Sequence, residues 1–517
     1  MLNTTDPKTI PKTIQETDLL IIGGGINGTG IARDASGRGL SVMLCEKGDL
    51  AAGTSSASTK LIHGGLRYLE YYEFKLVRAS LAEREVLLQL APHIVKPLRF
   101  ILPHSPGLRP AWLIRLGLFL YDHLGKRKKL PGSGWQKLPG TVYGDPLVPG
   151  ITKAVQYSDC SVSDSRLVVL NAVDAKERGA KILTRTECVK AVPLKDKPGW
   201  EVTLRGTKDG AETIVHARTI VNATGPWAEL NLHDVIDGIA PPKMRLVKGS
   251  HIVVKRLFEH DKAYIFQNTD RRIVFAIPFE QDFTLIGTTD VDLDEDLNVV
   301  RPSSDEVDYL CTAINLFFKK KTTPDDVVWS FSGVRPLLGE KGDDAAEITR
   351  DYRLDLQHAS KGSAALSVLG GKITTYRVLA EKTMVKLADV LDFTKGPWTA
   401  DTPLPGGDIS GADLPAFAEA MRKHYAWVPS EVLVRYVNTY GTRLMMILDN
   451  MSKVADMGID FGAGLYECEA RYLVEHEWAL TVEDILWRRT KLGLKANEAT
   501  KTDLQEWLLN TAAGDPT

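Results

Sequence analysis

Gly23-Gly24-Gly25-Ile26-Asn27-Gly28 lies between the apolar run 18–22 and a helix-like stretch that ends near Gly39. Glycines between a strand and a helix bring main-chain N–H groups to a helix N-terminus, where a pyrophosphate can lie close to the backbone. A G-x-G-x-x-G alone is weak, because glycine-rich loops also serve as plain turns. Here a second apolar run, 41–45, ends at Glu46, twenty-one positions beyond Gly25. That carboxylate is placed to accept from an adenosine ribose hydroxyl and to disfavour a 2′-phosphate. Strand, loop, helix, strand and acid in this order predict a dinucleotide site.

Four further side chains could do chemistry, and each has a plainer alternative. His251, flanked by Gly249 and Ile252-Val253-Val254, suits a base, although a lone histidine is more often a satisfied core or surface residue. Arg335, in Gly333-Val334-Arg335-Pro336, and Arg67, after Gly64-Gly65, could grip a phosphate with paired N–H bonds; surface ion pairs are the commoner fate of arginine. Lys372 follows Gly370-Gly371 and precedes a helix start near Thr374, so lysine and helix terminus would both favour negative charge. A solvated loop lysine explains the same residue.

These groups need a scaffold. At 517 residues the chain can hold two or three domains, and 44% hydrophobic with 25% charged residues is an ordinary globular profile. A net charge of −2 gives no global attraction to nucleic acid or membrane, so such a partner would need a local patch. Five scattered cysteines without C-x-x-C fit reduced thiols in a cytosol-like compartment. The polar segment before Asp18 lacks a signal-peptide core and is expected to be a disordered tail, and no run of ~20 apolar residues suggests a transmembrane helix.

The pattern predicts a helix over 163–179, a strand at 181–184, and a buried strand breaking into a turn at Ala223-Thr224-Gly225-Pro226-Trp227. Alternation over 245–335 predicts an antiparallel sheet interrupted by a helix near 303–321, with Lys319-Lys320-Lys321 complementing its dipole. A Pro/Gly break at 404–408 separates a tail that reads as helical, with Trp478 and Trp487 as core packing. No second G-x-G-x-x-G is present, which argues against NAD(P)H as a redox partner.

The first glycine loop, the Ser55–Tyr68 block, Ala223–Trp227, Lys248–His251, Gly287-Thr288-Thr289-Asp290, Ser332–Pro336 and Gly370–Arg377 together resemble the FAD-linked, aerobic type of glycerol-3-phosphate dehydrogenase. The resemblance runs from about residue 17 to about 510, and the tail before Asp18 looks longer than in bacterial members. It implies an α/β fold with three parts. An FAD-binding Rossmann-type domain of the D-amino-acid-oxidase or glutathione-reductase-like class would use 17–95, 155–240 and 336–395. An antiparallel β-sheet substrate domain would use 96–154 and 241–335, and an all-α C-terminal cap 400–517, after a disordered 1–16.

It further implies non-covalent FAD, no metal, and oxidation of sn-glycerol 3-phosphate to dihydroxyacetone phosphate with electrons passing to a membrane quinone. His251 and Arg335 would be catalytic, and Arg67, Tyr68, Thr289 and Lys372 would bind substrate beside them. Cofactor contacts would come from Gly23, Gly25, Asn27, Gly28, Glu46, Ser55, Ser56, Lys60, His63, Gly64, Gly65, Ala223, Gly225, Trp227, Gly371, Lys372, Thr374 and Thr375. The stretch 109–129, apolar in its middle and basic at both ends, reads either as a core helix or as one lying on an anionic membrane surface; reaching a lipid-soluble acceptor favours the latter. A homodimer, peripherally attached to the cytoplasmic face of the inner membrane, completes the expectation. The rivals are an oxidase using oxygen, a catalytically dead flavoprotein scaffold, and an RNA-modifying flavoprotein, the last disfavoured by the net charge and the lack of an RNA motif.

Overall fold

A computed structural model describes residues 14–513 apart from 105–110, 126, 128, 269, 271 and 339–350, with all their side chains except those of Arg67, Ala111, Ala512 and Ala513. Residues 1–13 of the expected tail fall outside, and the first strand, Gln15–Ile22, takes in its last two positions.

The apolar runs around the glycine loop become the centre of a parallel sheet. Its main path runs Arg353–His358, Ala364–Leu369, Glu212–Asn222, Gln15–Ile22, Val42–Cys45, Lys181–Leu183, parallel from the second strand onward. Strands covered on both faces must be apolar on both, which is why they read as unbroken hydrophobic runs. Leu19, Ile21 and Leu44 face helices Ile26–Gly37, Asp164–Glu177 and Tyr376–Leu387. Leu20, Ile22 and Met43 face the opposite way, into a core around the fully buried Trp200. The helix predicted over 163–179 runs Asp164–Glu177, with Gly179 just beyond it at φ +96°.

The second sheet has ten strands and is built around the long antiparallel pair Met244–Lys255 and Val327–Leu338. The helix expected near 303–321 is shorter, Ser304–Asn315, and starts at a reciprocal Ser303–Glu306 capping box. Lys319 and Lys321 beyond it donate to the carbonyls of Asp145, Asn315 and Phe318. The sheet is mixed rather than purely antiparallel, because Ala263–Gln267 pairs in parallel with Val95–His104. It also takes in Lys153–Val162, so 155–162 sit in this sheet and not with the nucleotide-binding strands.

Residues beyond the Pro/Gly break form helices Leu414–His424, Ser430–Tyr440, Glu467–Glu477 and Glu498–Ala513 around a core of their own. A short hairpin, Asp460–Gly462 with Leu465–Tyr466, interrupts the helices. Trp487 reaches outward: its ring lies 4.6 Å from that of Trp329 on the second sheet. Among the described residues no helix is long and apolar enough to cross a membrane.

Candidate active site

A cavity of about 1280 Å³ is walled by residues of both sheets. On one wall the glycine loop enters helix Ile26–Gly37, so Gly25, Ile26 and Asn27 at the helix N-terminus line the opening. Side chains are sterically barred there: a Cβ on Gly28 would stand 2.0 Å from the Gly23 carbonyl oxygen, and one on Gly23, at φ +111°, 2.7 Å from that of Ala223. The Glu46 carboxylate accepts from the N–H groups of Gly24 (2.7 Å) and Gly48 (2.8 Å), while burial raises its pKa. Ser55 Oγ accepts from Ile26 N–H at 3.0 Å, and Asn27 Nδ2 donates to the Gly370 carbonyl at 3.2 Å, tying the loop to the second glycine turn.

The long strand pair supplies the other wall. Register sets His251 opposite Gly287 on one side and Phe331 on the other, and sets Val247 opposite Arg335. The glycines make room: a Cβ on Gly287 would come within 2.1 Å of the His251 ring, and one on Gly249 within 2.6 Å of the Arg335 guanidinium. His251 stacks on Phe331 with centroids 4.9 Å apart, and its Nε2 lies 3.0 Å from Thr59 Oγ1. Nδ1 is buried with no hydrogen-bond partner among the described residues. Burial, reinforced by the nearby cations Arg335 and Lys60, lowers the imidazole pKa to about 3, so the ring is neutral near pH 7. Arg335 forms an ion pair with Asp290 and lies 3.3 Å from Thr288 Oγ1. Lys372 Nζ sits 3.6 Å above the Tyr68 ring.

Most of the anticipated residues meet on this cavity. Gly23, Gly25, Asn27, Glu46, Ser55, Ser56, His63, Tyr68, Ala223, Gly225, Trp227, His251, Arg335, Gly371, Lys372 and Thr374 all line it. Others stand behind the wall. Gly28 packs under the loop, and Lys60 is buried in an ion pair with Asp164 at 2.8 Å. Gly64 donates its N–H to Tyr121 Oη at 2.9 Å, Gly65 backs the Tyr68 ring, and Thr375 is buried without reaching the opening. Thr289 corrects the expectation of a substrate contact: its hydroxyl donates to Glu306 (2.8 Å) and accepts from Ser250 N–H (2.9 Å), turned away from the cavity. The neighbouring Thr288 lines the wall instead. The side chain of Arg67 lies outside the described residues.

Thr59, Asp290 and Arg488 were not singled out from the sequence. Thr59 and Asp290 fall inside quoted motifs, whereas Arg488, which also lines the cavity, carries no local signal.

The walls suit FAD. Among the described residues, Trp227 Nε1 and Asn27 Oδ1 are two of the buried polar atoms on lining residues that lack a hydrogen-bond partner, a donor and an acceptor for a polar ligand. Among the described residues no cluster of His, Cys, Asp and Glu could hold a metal ion.

Comparison with known proteins agrees with this geometry. The pattern of the family described as FAD dependent oxidoreductase matches residues 18–377, and that of the C-terminal domain of alpha-glycerophosphate oxidase matches 397–508. The chain is 51% identical to a glycerol-3-phosphate dehydrogenase of Pseudomonas aeruginosa, over 95% of its own length and 94% of the relative's. It is 50% identical to a D-erythritol 1-phosphate dehydrogenase of Brucella abortus, over 95% and 98% respectively. The solved glycerol-3-phosphate dehydrogenase of Bacillus halodurans, complexed with FAD, superposes with a TM-score of 0.72 at 27% identity, covering 96% of this chain and 95% of that one. Glycine loop, acid, two-sheet cavity and helical tail thus all fit one description: the chain belongs to the FAD-dependent glycerol-3-phosphate dehydrogenase family.

Proposed function

We propose that the chain oxidises the C2 hydroxyl of sn-glycerol 3-phosphate to the ketone of dihydroxyacetone phosphate and delivers the two electrons to a membrane quinone. The supporting observation is a buried, neutral His251 beside Arg335 on the same cavity as the glycine loop. FAD, when bound, supplies the acceptor for the C2 hydride. With Nε2–H donating to Thr59 Oγ1, the Nδ1 lone pair of His251 has no hydrogen-bond partner among the described residues and would take the hydroxyl proton once a small shift of the ring brings it to the substrate. Arg335 anchors the phosphate, a task the family resemblance alone extends to Arg67; the incoming dianion competes with the Asp290 carboxylate for the Arg335 fork. Lys372 and the helix start after it favour the negative charge left on the reduced cofactor. Phe331 and Tyr68 keep this end of the cavity apolar against water.

Anaerobic visible spectroscopy tests the scheme. Glycerol 3-phosphate should bleach the flavin and a soluble quinone should restore it. A flavin spectrum unchanged by the substrate would refute the reaction, and recovery with oxygen but not quinone would make the chain an oxidase. The nearly equal identity to a D-erythritol 1-phosphate dehydrogenase, 50% against 51%, makes that four-carbon phosphate the competing substrate, so its bleaching rate belongs in the same experiment.

Membrane attachment draws on helix Ala111–Leu124, which exposes Trp112, Leu113, Leu116 and Phe119 to solvent. Four large apolar side chains at that spacing share one helix face, and Arg115 and Arg127 flank it with charge suited to anionic headgroups. Of the basic cluster, Lys126 and Lys128 lie outside the described residues, as does Arg109. A homodimer on the cytoplasmic face of the inner membrane follows from the family resemblance alone.

A further inference from the structure

Among the contacts between the tail domain and the nucleotide-binding domain, which include the buried Arg166–Glu477 pair, one is made with a short loop beside the cavity. Three residues after Glu46, the carboxylate of Asp49 is almost fully buried and receives both η nitrogens of Arg489 at 2.8 Å and Nε of Arg488 at 2.6 Å. Arg489 is in turn fixed by the Glu477 carbonyl, to which Nη2 donates at 2.6 Å. On the loop's far side Arg185 donates its backbone N–H to the Gly48 carbonyl at 2.8 Å, and Thr186 N–H donates to that of Glu46 at 2.8 Å. The Arg185 guanidinium pairs with Asp484, which also holds Arg488 at 2.5 Å and caps its own helix by accepting from Leu480 and Thr481 N–H at 2.8 and 2.9 Å. The 483–489 segment of the tail domain therefore holds the Glu46–Asp49 loop directly at Asp49 and, through the Asp484–Arg185 pair, is tied to the stretch that holds the loop's other side.

That same segment reaches the cavity. Glu483 and Arg488 line it, on the side shared with Glu46, Lys47, Gly48 and Thr186, where the ribose-reading carboxylate lies. Desolvated ion pairs are poor general adhesives, since well-packed apolar residues of equal volume hold as well or better. What a bidentate Arg–carboxylate pair adds is direction. Here it fixes the orientation of the segment whose carboxylate must meet a ribose.

With FAD as the occupant of the cavity, we propose that the C-terminal domain is a cofactor clamp: the Arg488/Arg489–Asp49 bridge locks the ribose-binding loop, and Arg488 closes the adenosine end of the site. The bridge has to open before the cofactor leaves. Arg488 and Asp49 act here as positioning residues and take no part in the hydride step.

The test is the rate of FAD release from the purified holoprotein, read as the rise in free-flavin fluorescence on dilution, together with the melting temperature of each apoprotein. R488Q removes the partly exposed half of the bridge with little risk to folding; D49N removes its centre. R443Q is the control, because Arg443 pairs with Glu177 and so joins the same two domains away from the loop. R488Q and D49N should release FAD about tenfold faster or more, the scale of a lost charge-assisted bond, with R443Q within about twofold of the parent. Equal release from R488Q and the parent would overturn the clamp, even if D49N failed to fold. So would R443Q releasing as fast as R488Q, since any weakening of domain docking would then suffice. Failure of the parent itself to bind FAD would instead refute the cofactor assignment.

Discussion

At His251 the surroundings decide the chemistry. A ring held between Phe331 and the open face of Gly287, with Nε2 occupied by Thr59, leaves Nδ1 without a hydrogen-bond partner among the described residues, the nitrogen the proposed reaction needs. Replacing it by asparagine should slow anaerobic flavin reduction by roughly 10²–10⁴-fold, the usual contribution of a positioned base, while the bound-flavin spectrum is retained; stopped-flow absorbance reads both. R335K should raise KM by about tenfold or more, because a point charge cannot reproduce the fork that meets a phosphate; steady-state kinetics over a range of substrate concentrations checks it. The sequence made His251 and Arg335 visible because motifs enclose them. Thr289 shows the limit: side chains alternate across a strand or extended loop, so a motif does not say which of two neighbouring threonines faces the cavity, and the Thr289 hydroxyl bonds Glu306 instead. Asp49 and Arg488 are 439 positions apart, and neither has a local pattern that points to the other.

Among the elements, the parallel strands were legible because burial on two faces leaves an unmistakable composition, and the glycine loop because its function forbids side chains. The second sheet was half legible. Alternation announces an antiparallel strand but cannot show which sheet it joins, so a boundary expected at 154/155 cuts through strand Lys153–Val162, whose residues 155–162 pair in the second sheet and not with the nucleotide-binding strands. Helix Ala111–Leu124 was read both ways, and its geometry serves both: Leu118 and Tyr121 are buried in the core while Trp112 and Phe119 face out. The double variant W112A/F119A should lose most of its partition onto vesicles containing phosphatidylglycerol, since each aromatic transferred to lipid contributes on the order of 2 kcal/mol. Vesicle co-sedimentation measures this, and flavin reduction by glycerol 3-phosphate in solution should be unchanged.

Across the whole molecule, acid sensitivity is built into the contact between domains. His93 is fully buried where the nucleotide-binding domain meets the linker and tail: a Cβ on Gly406 would stand 3.2 Å from its Nε2, and one on Gly441 3.0 Å from the ring. Neither ring nitrogen has a hydrogen-bond partner among the described residues, and burial, followed by the Arg166 cation, lowers its pKa to about 3. In the unfolded chain this group titrates near 6.5, so between pH 6.5 and 3 the unfolded state binds the extra proton. The stability the neutral ring permits is complete above pH 6.5 and falls as the pH drops toward 3, by up to about 1.4 kcal/mol per pH unit for each such histidine. His251, lowered to a similar value for similar reasons, adds a parallel loss. Melting temperatures from pH 7.5 to 4.5 should therefore fall less steeply in H93Q than in the parent.

The cavity wall draws on the chain from Ile22 to Arg488. During synthesis the glycine loop emerges early, yet the last turn that closes over it emerges hundreds of residues later. A nascent chain consequently has no finished pocket to load until its C-terminal domain has folded against the rest, and the proposed clamp makes flavin capture follow the seating of the tail.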